Sequence, residues 1–148
     1  MLKGKETSYK KIIGCDIDFF KKWIEFRFDT GMNWNNYGKV WHIDHILPIS
    51  IFNFKNTTEQ QICFHWSNLQ PLFGLENQQK SNKIYYHQYF NNLVNVFRFN
   101  SKYDNFLGYQ VLNESLKWLR DNTLRYGKNA TYELEKKSNE IDNPQPSS

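Results

Sequence analysis

Residues 41–50, WHIDHILPIS, place two histidines three residues apart around Asp44 and then a proline. Further along, residues 68–83, NLQPLFGLENQQKSNK, carry Asn68, Asn77, Lys80 and Lys83. Hydrolysis of a phosphodiester needs a base to take a proton from water and a cation to stabilise charge on the phosphate and leaving oxygen. A histidine suits the first task, because its ordinary pKa of ~6.5 leaves it mostly neutral at neutral pH. A carboxylate and an amide oxygen suit Mg²⁺, a hard ion that binds few protein ligands and keeps several waters. Lysines on the same helix as the amide reach phosphates. Asp44, His45, Asn77 and the lysines are thus the parts of a nuclease, provided the fold makes them converge.

The elements that would position them are legible in outline. Residues 16–29, DIDFFKKWIEFRFD, read as an amphipathic helix, with Asp16 as N-cap and Gly31 as the stop. Residues 40–47, VWHIDHIL, read as a strand ended by Pro48, whose alternation puts His42 and Asp44 on one face and His45 on the other. A loop near residues 53–56 and a short helix near 58–64 follow. Residues 68–72, NLQPL, form a second short strand, and residues 74–83 a polar helix carrying Asn77, Lys80 and Lys83. Residues 84–99 fit helix and strand equally well. Residues 111–124 read as a helix with Leu112, Leu116 and Leu119 on one face, and residues 128–148 as a polar, disordered tail.

At 148 residues, the chain is long enough for one domain with a real core. Aromatic residues make up 18%, so a few bulky side chains can fill that core. The formal charge is +4, and the last eighteen residues hold four acids against two lysines, so residues 1–130 carry +6. A basic body suits a polyanionic partner such as nucleic acid. No apolar run follows the N-terminal lysines and none approaches the ~18 residues of a membrane span, so an intracellular, non-secreted protein without a membrane partner is expected. For a eukaryotic host, the nucleus or a viral compartment is equally open.

The segment WHIDHILPIS…WSNLQPLFGLENQQKSNK resembles the HNH endonucleases, built on the ββα-metal (His-Me finger) motif. The Asp-His-Ile-x-Pro run at residues 44–48 looks like the first strand of that motif, Asn68 like its central asparagine and Asn77 like its last position, on the helix. This Asp-His…Asn…Asn variant is similar to the HNH domains of CRISPR effector nucleases and of some phage junction resolvases. The preceding stretch from Gly14 resembles the N-terminal extension of phage and viral HNH proteins. The resemblance implies an α+β fold, with a ββα-metal core over residues 40–84, a helical extension over 1–39 and a C-terminal extension over 85–127, making one nuclease domain over 1–127. It implies a metal-dependent hydrolase that cuts DNA to leave a 5′-phosphate and a 3′-hydroxyl. Asp44 and Asn77 would hold one Mg²⁺, for which Mn²⁺ can substitute. His45 would be the general base, and Asn68 would brace the motif through the backbone. Lys80 and Lys83 are candidate phosphate contacts. His42 is grouped with these nucleic-acid contacts, although its face also allows an additional ligand or plain packing.

The CxxC pairs that hold a structural zinc in many relatives are missing, and no zinc is expected. Cys15, Cys63, His65 and His42 could compose a zinc site on paper, but their spacing resembles no paired zinc motif. The rival function is a non-catalytic nucleic-acid-binding module on the same scaffold, which needs no convergence of Asp44, His45 and Asn77. Cleavage specificity is open, as is a homodimer, which would favour double-strand cuts.

Overall fold

The computed structural model describes residues 10–103 and 109–122. Asp16 caps the first long helix, α1 (Ile17–Phe26), its Oδ1 accepting the Phe19 N–H at 2.8 Å. The helix stops three residues earlier than its apolar pattern suggests. Arg27 and Phe28 donate back to Ile24 and Glu25 in a tightened last turn, and Phe28 is drawn off to pack edge-on against Trp41, at 4.9 Å between ring centroids. Ile17, expected on the apolar face, is exposed, while Phe20, Trp23 and Ile24 are buried.

Strand β1 (Trp41–His45) runs antiparallel to β2 (Leu69–Phe73), with Asp44 opposite Gln70 and His42 opposite Leu72. Beyond His45, the Leu47 N–H turns to a side chain, Asn68 Oδ1, so the ladder ends before Pro48 is reached. Pro71 sits within β2, which a two-stranded sheet tolerates because each strand keeps one open edge. Between the strands lies α2 (Thr57–Phe64), capped by Asn56 through the N–H groups of Thr58 and Glu59.

Helix α3 (Gly74–Lys80) follows β2 directly. It is shorter than the polar stretch 74–83, because Ser81 adopts a left-handed conformation (φ 45°) and Lys83 falls outside the helix. The ambiguous region forms α4 (Tyr86–Lys102), and residues 109–122 are helical as α5. On α5 the buried face runs through Leu112, Ser115 and Leu119, with Leu116 exposed instead. The molecule is α+β, and no helix among the described residues is long and apolar enough to cross a membrane. The expected disordered tail at 128–148 lies outside the described residues.

Two apolar clusters support the hairpin. One joins Trp23 and Ile24 of α1, Trp41, Trp66, Leu69 and the α4 residues Val96 and Phe99. Its rings meet edge-on, Trp23 lying 5.0 Å from Trp66 and 5.3 Å from Phe99. The geometry suits ring quadrupoles, whose negative faces attract positive edges. Trp23 also donates its indole N–H to the Leu69 carbonyl at 2.8 Å, fixing α1 on β2. The second cluster places Ile46 and Leu47 against Phe52, Ile62, Cys63, Tyr89 and Leu119. Gly14 is required where it stands: it has a φ of +80°, and an added Cβ would come within 2.6 Å of the His65 ring.

Candidate active site

The site grows from the last two residues of β1. Asp44 faces α3: its Oδ2 lies 3.0 Å from Lys80 Nζ and accepts from Gln70 Nε2 at 3.2 Å. Lys80 also donates to the backbone carbonyl of His45 at 2.5 Å. One ammonium thus ties two consecutive residues of β1 to the end of α3. It is only 3% exposed, so its charge needs these partners to be tolerated away from water. The sequence suggests instead a lysine presented to phosphate; in the structure Lys80 points inward and Lys83 is the exposed one.

His45 leaves the strand in the opposite direction. Its imidazole stands edge-on to Phe64 of α2, with the centroids 5.8 Å apart. Its Nε2 is buried without a hydrogen-bond partner. Burial pushes the imidazole below its ordinary pKa; neighbouring Asp44 pulls it back up and Lys80 lowers it further. The ring is therefore neutral at neutral pH, the state a base requires. The Asp44 and His45 side chains part on opposite faces, as strand alternation dictates, and can meet one bound molecule only around the end of β1.

Asn68 secures that end. Its Oδ1 accepts the Leu47 N–H at 2.9 Å, and its Nδ2 donates to the carbonyls of Leu47, at 3.2 Å, and Cys63, at 2.9 Å. Nearly every bonding position of the amide is used on backbone, so Asn68 fixes the chain just beyond His45.

Gly74, Asn77 and Lys80 recur at three-residue steps and so share one side of α3. Gly74 lies beside the His42 ring and Lys80 beside Asp44, so the half-buried Asn77 occupies the helix position between them. His42 shares the strand face of Asp44, and its Nδ1 is buried without a hydrogen-bond partner. Among the described residues, no three or more His, Cys, Asp or Glu side chains form a group that could hold a metal. A metal at this seam would rest on the Asp44 carboxylate and the Asn77 amide. Oxygen donors of that kind fit a hard, hydrated ion, and the unpartnered Nδ1 of His42 on the same strand face fits a site that takes a ligand or ordered water.

The residues that sequence reasoning overlooks here are Gln70, Arg27, Asn92 and Phe64. Gln70 stands opposite Asp44 in β2, a placement that pairing the two strands in register would have exposed. Arg27 donates to Gln70 Oε1 at 3.2 Å and to Asn92 Oδ1. Burial lowers its pKa to about 10, so it stays charged at neutral pH. No local pattern marks it. Cys15 and Cys63 are buried, and burial raises both thiols to about 12, which keeps them protonated. His65 is taken up by Ser67, whose hydroxyl lies 2.7 Å from Nδ1.

Two proteins of Acanthamoeba polyphaga mimivirus are similar to part of this chain. Uncharacterized protein L426 is 46% identical over 80 residues, covering 54% of this chain and 34% of the relative. Uncharacterized protein L246 is 48% identical over 73 residues, covering 49% and 32%. The chain spans about a third of the length of these curated relatives. No protein-family model matches the chain, and no solved structure matches it significantly.

Proposed function

We propose that this chain is a metal-dependent DNA endonuclease of the HNH type, with the β1–β2 hairpin and α3 as its ββα-metal core. The observation that carries this reading is the double anchoring of the Asp44–His45 end of β1. Lys80 holds it from α3, and Asn68 holds the next backbone step. Precision of this kind is what a base needs to meet a water in line with a phosphate. His45, kept neutral by burial, takes the proton from that water. Asp44 and Asn77 would hold Mg²⁺ or Mn²⁺, which supplies stabilisation of charge on the phosphate and leaving oxygen. The basic body and the exposed Lys83 favour a phosphate backbone as substrate, binding it without reading sequence.

One observation favours a second reading, a binding module without catalysis: Asp44 is already neutralised from within by Lys80. Plasmid and branched-DNA cleavage with added Mg²⁺ separates the two. The wild type should cut, and His45→Ala should bind DNA with equal affinity while cutting about 10²–10⁴-fold more slowly. Cleavage that is equal in both proteins would remove His45 as the base. Binding without cleavage in either Mg²⁺ or Mn²⁺ would favour the module.

A further inference from the structure

We propose that Gln70, oriented by Arg27, reserves one oxygen of Asp44 for the protein and leaves the other as the single metal-coordinating atom, which selects small octahedral ions over calcium. The proposal rests on the metal-binding reading given above. It starts from an asymmetry in Asp44: among the described residues its two side-chain contacts, Lys80 at 3.0 Å and Gln70 at 3.2 Å, both fall on Oδ2.

Donor chemistry fixes why Gln70 presents its NH₂ there. A guanidinium can only donate, so the Gln70 atom facing Arg27, 3.2 Å from Nη2, must be the carbonyl oxygen. The other end of the same amide is then necessarily Nε2, and it faces Asp44. Arg27 is held in turn. It lies over the Trp23 ring, 5.2 Å from the centroid, and donates to Asn92 Oδ1. Asn92 cannot turn away, because its Nδ2 donates to the Ser67 carbonyl at 2.6 Å. Gln70 and Asn92 are 5% and 1% exposed, so water does not compete for these bonds. A relay fixed at Ser67 therefore decides which Asp44 oxygen is engaged.

An oxygen that already accepts from an ammonium and an amide is a poor second ligand. Calcium gathers six to eight oxygens at roughly 2.3–2.6 Å and often takes carboxylates through both oxygens, whereas Mg²⁺ uses one carboxylate oxygen and keeps its waters. Asp44 in this arrangement suits the second mode. Removing the Gln70 donor, or the Arg27 that aims it, would leave Oδ2 held by Lys80 alone, free to turn towards a cation, and would relax the discrimination.

The test is metal binding to the full chain without DNA, with Mn²⁺ followed by electron paramagnetic resonance and Ca²⁺ by calorimetry. Wild type, Gln70→Met, Arg27→Met, Arg27→Lys and Asp44→Asn are compared. Wild type should bind Mn²⁺ more tightly than Ca²⁺. Gln70→Met and Arg27→Met should narrow that ratio by about tenfold or more, the scale on which groups supporting a metal ligand act. Arg27→Lys, which keeps a donor, should restore part of it. Should Gln70→Met fail to fold, as circular dichroism would show, the two Arg27 variants carry the same comparison from a less buried position. A ratio unchanged in folded variants, with Asp44→Asn abolishing Mn²⁺ binding, overturns the relay and leaves the metal reading standing. Mn²⁺ binding that is absent, or unaffected by Asp44→Asn, overturns both.

Discussion

The aromatic cluster around Trp23 and the polar seam around Asp44 hold the same hairpin by different means. In the cluster, Trp23, Trp66 and Phe99 are fully buried and in mutual ring contact, so stability there follows from volume and contact. In the seam, Asp44, Gln70 and Lys80 are nearly as buried but polar, so each depends on its partners being in place. The first arrangement tolerates similar volumes and fails when a cavity opens. The second fails when one partner is removed and a charge is stranded. Positional accuracy belongs in the second, because a hydrogen bond fixes an atom where an apolar contact fixes only a surface.

The largest expected effect is in the cluster. Trp23→Ala should cost about 3–5 kcal/mol in urea unfolding, from lost burial, the cavity left behind and the freed Leu69 carbonyl. A loss below ~1 kcal/mol would mean the rings are not the frame. In the seam, Asp44→Ala should cost about 3 kcal/mol because it leaves the Lys80 ammonium buried without its carboxylate. Adding Lys80→Met should recover most of that loss; Trp23→Ala has no such partner substitution. A double variant no more stable than Asp44→Ala would show that the seam also works by volume.

Acid sharpens the contrast through His65, which burial holds at about 4 against its ordinary 6.5. Between those values the unfolded chain binds the proton and the folded chain does not. Stability is therefore full above pH 6.5 and falls as the pH drops towards 4, by about 3 kcal/mol. Burial lowers the pKa of His45 too, which adds loss in the same direction. Unfolding midpoints measured from pH 8 to 4 check this, and a His65→Phe variant should flatten the curve. The smallest effect is at the α1 cap. Asp16→Ala should cost about 1 kcal/mol, read from a urea midpoint, with DNA binding unchanged.

Local chemistry in the chain was a good guide wherever one residue acts on its neighbours. Asp16 caps the helix expected of it, and alternation in β1 separates His45 from His42 and Asp44. Asn68, read from the sequence as a brace, bonds the backbone of Leu47 and Cys63. Where neighbours compete, the pattern misled. Phe28 continues the apolar period of α1 but packs on Trp41, and Lys83 continues the polar stretch of α3 beyond its end. Residues 84–99 gave no answer because aromatic and β-branched side chains suit either period; burial of Tyr89, Val96 and Phe99 decided for helix.

By itself, then, the sequence determined the order of elements up to residue 83, the Asp16 cap and the identity of the chemically capable residues, since each depends on residues close in the chain. Only the tertiary structure decided how they are used. A lysine is read as exposed by default, and Lys80 is buried because a carboxylate thirty-six residues earlier meets it. Arg27 and Asn92 carry no pattern at all, because the bonds that join them to each other and to Gln70 span distant parts of the chain. The opening stretch WHIDHILPIS supplied an imidazole and a carboxylate at adjacent positions, and the fold supplied the ammonium and the amides that hold that end of the strand in place.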